Sequence, residues 1–171
     1  MKKLIFLGLT AFALAGCSSN ISNSNQLIGN WKCTINYNDF NISTVDNLKF
    51  AANGNITNQG TINYPLQKPI FIYAIQQNGR WNLQNNKIVY RVVTQSLQRT
   101  HRAEIWAELQ RDPALQQFEE NLFSSLSDNE NNKTIELTVT DFSNQKMEIR
   151  QEVKGHRTYT YKGQCLKKLE E

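Results

Sequence analysis

Few residues suited to catalysis occur in this chain. It has two histidines, His101 in RTHRAE and His156 in VKGHRT, and neither has a partner residue at a spacing typical of a metal site or a catalytic pair. The sequence also lacks G-x-S-x-G, H-E-x-x-H and a phosphate-binding glycine loop. We therefore predict no catalytic residue, no metal site and no cofactor, and we interpret both histidines as solvent-facing.

A strong excess of either charge is absent as well. The chain has 19 Lys and Arg residues against 15 Asp and Glu residues, a formal net charge of +4 at pH 7. Lys2 and Lys3 belong to the N-terminal segment, and the other 17 basic residues are interleaved with the acidic ones. Nucleic-acid binding usually needs a clustered basic surface. The dispersed charge therefore predicts no nucleic acid partner.

Long apolar runs are missing, with one exception at the N-terminus. The stretch from Leu4 to Leu14 is apolar apart from two residues, follows a short basic start, and is followed by small residues. A bilayer core requires about 20 apolar residues, so this stretch is too short to span a membrane. Its layout is typical of a secretory signal.

The tetrapeptide LAGC, which ends at Cys17, resembles the bacterial lipobox. The resemblance implies that residues 1–16 are a lipoprotein signal peptide and that Cys17 carries a diacylglyceryl group anchoring the protein in a membrane. In enterobacterial lipoproteins an aspartate directly after the lipidated cysteine favours the inner membrane. Because Ser18 occupies that position here, we expect the protein to be located in the cell envelope, at the outer membrane. A plain secretory signal with an incidental cysteine is the alternative. The polar residues 17–26 predict a flexible tether.

Alternation of apolar and polar residues predicts β-strands in most of the remaining chain. In NWKCTINY the residues Trp31, Cys33, Ile35 and Tyr37 occupy every second position, as on one face of a half-buried strand. Asn-Gly pairs at 53–54 and 78–79 predict tight hairpin turns, and Asn85-Asn86 introduces a further strand. Five or six strands are expected before residue 96.

A change of periodicity separates these strands from three later ones. Apolar residues at spacings of three and four predict a helical insert at residues 96–127. Asp112-Pro113 divides it into two short helices, because the residue before a proline is disfavoured in helical geometry. Alternation then resumes and predicts three strands.

Two cysteines remain once Cys17 is assigned to lipid. An even pair in an oxidising envelope predicts a disulfide between Cys33 and Cys165, with free thiols as the alternative. Such a bond requires the first and last strands to be neighbours, as in a closed barrel. We therefore predict one domain over residues 27–171. Its fold is mainly β: an antiparallel up-and-down β-barrel of about eight strands with a two-helix insertion before the last three strands. A β-sandwich is the alternative.

The opening LIGNWKC, with Gly29 and Trp31, resembles the G-x-W opening of lipocalins and the wider calycin group. The resemblance implies that Trp31 packs across the closed end of the barrel. The chain differs from lipocalins in one respect: their helix usually follows the barrel, whereas the helical insert predicted here precedes the last three strands. Aromatic residues on the predicted strands are candidates to line a cavity for an apolar ligand: Trp31, Phe50, Phe71, Tyr73, Trp81 and Tyr90. An interior filled by packed side chains is the alternative.

Two functions fit these expectations. The first is a non-enzymatic, lipid-anchored envelope protein whose lipocalin-like barrel binds a small apolar or lipid-like ligand, or a partner protein. The second is an interaction protein, such as an inhibitor or an immunity protein, that acts through its surface or its helical insert. Small periplasmic barrels resembling lysozyme inhibitors act in the second way.

Overall fold

The computed structural model describes residues 21, 23–127 and 133–168. The strands are β1 (Gly29–Tyr37), β2 (Ile42–Phe50), β3 (Asn55–Tyr64), β4 (Phe71–Gln84), β5 (Lys87–Arg99), β6 (Thr134–Phe142), β7 (Lys146–Lys154) and β8 (Thr158–Lys167). Two helices, α1 (Ala103–Leu109) and α2 (Pro113–Ser127), lie between β5 and β6, and short 3-10 helices form at Ser24–Leu27 and Asn38–Phe40. Each strand pairs antiparallel with the next, and β1 pairs with β8. The predicted barrel with a two-helix insertion is confirmed.

The first and last strands are joined covalently as well as by their ladder. Cys33 on β1 lies directly opposite Cys165 on β8, and the two form the predicted disulfide. The bond links residues 132 positions apart. Closing a loop of this length lowers the entropy of the unfolded chain, which the chain-entropy model equates with roughly 5 kcal/mol of stabilisation. The disulfide therefore stabilises the closure of the barrel.

The hairpin turn predicted at Asn78-Gly79 is wrong. Strand β4 continues through both residues, and Gly79 lies at a β-bulge where the register against β5 shifts. Gly79 pairs with Val92 and Asn78 pairs with Thr94, so Val93 bulges outward and is exposed. A Cβ atom on Gly79 would collide with the carbonyl oxygen of Arg91. The glycine therefore serves a close approach of two strands rather than a turn.

The turn between β4 and β5 lies at Asn85-Asn86 instead. Both residues have positive φ, at 48° and 60°. Asparagine tolerates this region better than most residues, and two successive positive φ values are typical of a type I′ hairpin turn. The prediction failed because Asn-Gly is the stronger turn signal in a sequence. The Asn85-Asn86 pair nevertheless adopts the geometry that a two-residue turn requires.

The N-terminal end of the barrel is covered by residues that precede β1. Leu27, in the 3-10 helix Ser24–Leu27, is fully buried, and its carbonyl oxygen accepts a hydrogen bond of 2.8 Å from the indole nitrogen of Trp31. Ile21 packs in the same apolar cluster, and Phe142 lies beside the Trp31 ring with 6.0 Å between centroids. The folded part therefore includes residues of the stretch predicted as a flexible tether.

The opposite end of the barrel, here called the helix end, is covered by the insert. Ile105 and Leu109 of α1 pack with Phe71 and Tyr73 of β4 in a second apolar cluster. Asp112 caps α2, because its carboxylate accepts hydrogen bonds from the backbone N–H groups of residues 114 and 115. The predicted break at Asp112-Pro113 is confirmed, while residues 96–99 of the predicted insert belong to β5. No helix among the described residues is long and apolar enough to cross a membrane.

The disulfide can be tested by replacing Cys33 and Cys165 with alanine together. We expect the free energy of unfolding to fall by about 2–5 kcal/mol and the melting temperature to fall by roughly 5–20 °C. Thermal denaturation followed by circular dichroism measures both. The matched control is the double alanine variant of Thr34 and Gln164, the outward-facing pair next to the disulfide on the same strands. Equal melting temperatures for the two double variants would contradict a stabilising role.

Candidate binding site

A cavity of about 150 Å3 lies inside the barrel, between the two apolar clusters. Cys33 and Leu48 of the first cluster line one part of it, and Ile62 and Ile75 of the second cluster line another. Pockets for drug-sized ligands measure roughly 300–1,000 Å3. At roughly 30 Å3 per molecule, this cavity has the volume of about five waters. It therefore suits a molecule much smaller than a lipid.

Polar side chains from five successive strands face this cavity. They are Tyr37 on β1, Thr44 and Asp46 on β2, Asn58 on β3, Gln77 on β4 and Tyr90 on β5. Asn58 and Gln77 lie opposite each other in the β3–β4 ladder, and their exposed fractions are 4% and 7%. Polar groups this deeply buried are costly unless they form hydrogen bonds. The hydrogen bonds of these side chains therefore decide which groups a molecule in the cavity could contact.

A chain of amide hydrogen bonds fixes the layer. The Asn58 Nδ2 group donates to Asp46 Oδ1 at 2.8 Å and to Gln77 Oε1 at 3.1 Å. Gln77 Nε2 in turn donates to Gln95 Oε1 at 2.7 Å. Because the carboxylate oxygen of Asp46 requires a donor, Nδ2 is the Asn58 atom that faces it. Asn58 Oδ1 is then buried and has no hydrogen-bond partner among the described residues.

Asp46 is the acidic group of this cavity. Burial raises the pKa of its carboxyl above the ordinary value of 3.8, while the hydrogen bond from Asn58 opposes the rise. Room for the carboxylate comes from Gly60, its partner across β2 and β3, because a Cβ atom there would lie 2.6 Å from Asp46 Oδ1. None of the ion pairs within the described ranges includes Asp46. The cavity thus contains a half-buried carboxyl that forms no ion pair among the described residues.

Two tyrosines lie close to the same carboxyl. Burial raises the pKa of Tyr37 and of Tyr90, and the negative charge of Asp46 raises both further. The Tyr37 hydroxyl donates a hydrogen bond of 2.7 Å to Gln151 Oε1 on β7. Both phenols therefore stay protonated at physiological pH, and the site combines aromatic faces with neutral hydroxyl groups.

The six aromatic residues proposed from the sequence are all buried, but only Tyr90 lines this cavity. Trp31, Phe50 and Trp81 pack in the first cluster, where the Phe50 and Trp81 rings lie 5.0 Å apart. Phe71 and Tyr73 pack under the helices. These five side chains fill the barrel on either side of the cavity. Cys17, the proposed lipidation residue, lies outside the described residues.

Sequence reasoning missed the polar layer, although the signal was present. Leu48 and Phe50 on β2 face the interior, so the alternation also places Asp46 inward. On β3, Ile56 and Ile62 face the interior, so the same alternation places Asn58 and Gly60 inward. Polar residues at inward positions of two neighbouring strands predict either a bound ligand or a buried network.

A second buried polar cluster lies under the helices, and it shows that the interpretation of His101 as solvent-facing is wrong. His101 is 7% exposed, because the rings of Phe71, Tyr73 and Trp106 surround it at centroid distances of 5.0–5.3 Å. Its Nδ1 atom accepts a hydrogen bond of 3.0 Å from the backbone N–H of Ile72. Nε2 lies 3.0 Å from Glu119 Oε1 and therefore acts as the donor.

Glu119 joins this histidine to Arg99. The Arg99 Nε group donates to both carboxylate oxygens of Glu119, at 2.9 and 3.0 Å, and its guanidinium lies 3.6 Å above the centre of the Phe123 ring. Burial acts to raise the pKa of Glu119, but the hydrogen bonds from Arg99 and His101 outweigh burial and lower the pKa below 4.5. Glu119 thus attaches α2 to β5 and to the segment before α1. We therefore interpret the cluster as a structural one that holds the insert on the barrel.

The outer surface of the insert carries exposed aromatic side chains. Trp106 is 40% exposed and Phe118 is 45% exposed. Trp106 also borders a groove of about 310 Å3 that Arg99, Gln110 and Gln116 help to line. These residues are the surface through which the alternative function, binding of a partner protein by the insert, would act. That alternative stays a hypothesis.

Comparison with known proteins gives no family for this chain. No protein-family model matches it, and a search of curated proteins found no match. Function must therefore be argued from the residues and the cavity.

The lowered pKa of Glu119 predicts a pH-dependent stabilisation of the insert. The carboxylate contributes fully above pH 4.5, and its contribution is lost as the pH falls through the lower value of the folded protein. We expect Glu119→Gln to reduce the free energy of unfolding by about 2 kcal/mol at pH 7. The deficit should shrink below pH 4.5. Urea denaturation at several pH values measures it, with the exposed neighbour Glu120→Gln as control. A deficit independent of pH would contradict the assignment.

Proposed function

We propose that the protein is a lipid-anchored binding protein of the bacterial cell envelope, and that its barrel holds a small hydrogen-bonding molecule at Asp46, Asn58 and Gln77. The observation that carries the proposal is the buried Asn58 Oδ1 atom, which has no partner among the described residues. Buried polar atoms are almost always satisfied by protein, ordered water or a ligand. A molecule in the cavity supplies the missing partner.

The size and lining of the cavity favour a polar ligand over the apolar or lipid-like one expected from the sequence. A volume of about 150 Å3 is too small for an acyl chain of ordinary length. A purely apolar ligand would also leave Asn58 Oδ1 unsatisfied and bury the Asp46 carboxyl without compensation. A small molecule with hydrogen-bonding groups avoids both costs.

Binding without catalysis is in keeping with the groups around the cavity. Cys33 lines it but is held in the disulfide. His101 lies in the cluster under the helices, and His156 is exposed in the connection between β7 and β8. Nucleophilic catalysis requires a nucleophile within hydrogen-bonding reach of a base. Among the described residues that line the cavity, no nucleophile is paired with a histidine.

A lipid anchor at Cys17 gives the barrel an orientation. Cys17 is four residues before Ile21, so the lipid-bearing residue lies within about 14 Å of it. Ile21 packs at the N-terminal end of the barrel. An anchored barrel therefore holds this end next to the membrane, and the helix end with Trp106 faces away.

Lipidation and location are testable through three variants. We expect Cys17→Ser to lose metabolic labelling by palmitate and to retain residues 1–16, which intact-mass measurement detects. Ser18→Asp should move the protein from the outer-membrane to the inner-membrane fraction of a sucrose gradient, whereas the control Ser22→Asp should not. Labelling that persists in Cys17→Ser would contradict the lipid anchor.

Ligand binding is testable by filling the cavity. Ile75 lines it, whereas Ile72 lies on the outer face of the same strand. We expect wild-type protein purified from envelopes to carry a small molecule in native mass spectrometry and Ile75→Phe to carry at least about tenfold less, a loss of about 1.4 kcal/mol. Ile72→Phe is the matched control and should bind as the wild type does. A wild-type spectrum without added mass, at conditions that preserve the fold, would contradict the proposal.

A further inference from the structure

The chemical class of the ligand can be argued from the groups that the cavity leaves without partners. This inference rests on the proposed function. Asn58 Nδ2 and Gln77 Nε2 already donate within the protein, to Asp46, Gln77 and Gln95. Two side-chain atoms of the lining residues lack a partner within the described part of the chain: Asn58 Oδ1, which can only accept, and the Thr44 hydroxyl, which can accept as well as donate. The carboxyl of Asp46 can accept further hydrogen bonds beside the one from Asn58. A ligand that complements this wall must therefore donate hydrogen bonds.

The negative charge of Asp46 narrows the chemical class of the ligand further. Asp46 is the acidic side chain among the residues that line the cavity, and no ion pair in the described part of the chain neutralises it. Lys133 also belongs to the lining, but it is exposed to solvent and forms no ion pair with Asp46. A buried carboxylate is costly unless a cation pairs with it. A cationic ligand provides that pair.

The site is built around the carboxyl rather than left by imperfect packing. Asn58 holds Asp46, Gln77 holds Asn58, and Gln95 holds Gln77, so each side chain is fixed by the next. Gly60 leaves the space that Asp46 occupies. Such a connected set keeps the carboxyl in one orientation before a ligand arrives, which lowers the entropy lost on binding.

The remaining lining suits the rest of such a ligand. Tyr37 and Tyr90 line the cavity together with Asp46, and aromatic rings can attract ammonium groups. Ile62 and Ile75 provide an apolar surface for a short carbon chain. We propose that the cavity binds a small organic cation, a primary amine with a short carbon chain, whose ammonium group pairs with Asp46 and donates to Asn58 Oδ1.

The test compares three probes of similar shape in isothermal titration calorimetry: butylammonium, 1-butanol and butyrate. We expect the wild-type protein to bind butylammonium about 10–100-fold more tightly than 1-butanol, the ratio for hydrogen bonds to a charged group. Butyrate should not bind. Asp46→Asn should remove the preference for the amine and leave the weak binding of 1-butanol unchanged. Asp141→Asn, on the exposed face of β6, is the matched control and should behave as the wild type does.

Three outcomes would overturn the inference or the function beneath it. Equal affinities for butylammonium and 1-butanol in the wild type would mean that Asp46 is a neutral acid in the cavity, and the cation would be rejected without any variant. A preference for the amine that survives in Asp46→Asn would place binding elsewhere. If none of the probes binds and protein from envelopes carries no small molecule, the proposed function itself fails. The wild-type comparison stands even if Asp46→Asn does not fold.

Discussion

The pairing of β1 with β8 is the constraint on which the rest of the structure depends. It closes the sheet, and the Cys33–Cys165 disulfide joins the two strands beside the cavity, which Cys33 lines. Closure removes the exposed strand edges of an open sheet and encloses one interior. Because the interior is enclosed, the carboxyl of Asp46 and the amide of Asn58 contact each other inside the barrel instead of facing solvent. The polar chemistry of the cavity is therefore a consequence of closure.

The interior is organised in layers along the barrel axis. An aromatic layer with Trp31, Phe50 and Trp81 fills the N-terminal end, and the layer under the helices fills the other. Between them, polar and apolar side chains together line the cavity. Buried polar groups contribute little net stability and are costly when unsatisfied. We interpret this layer, which lies between two well-packed apolar layers, as support for the proposed binding role.

Much of the fold follows from local patterns in the sequence. Alternation over residues 30–37 predicts β1, and the switch to spacings of three and four predicts the helices, because both patterns record which face is buried. The Asn78-Gly79 turn failed because a bulge and a turn use the same residue pair. Alternation places Asp46 inward, but the sequence does not identify its partner Asn58, which is 12 positions away in the chain. His101 and its partner Glu119 are likewise 18 positions apart. Such partners are brought together only by the folded structure.

The measurement that tests the central claim most directly is a crystal structure of the protein purified from bacterial envelopes, at a resolution that separates ordered water from a bound molecule. The account predicts continuous density in the cavity, within hydrogen-bonding distance of Asp46 and Asn58 Oδ1. A cavity that holds only separate water molecules bridging those two side chains would contradict it. The buried atoms would then be satisfied by solvent, and function would have to be sought on the outer surface.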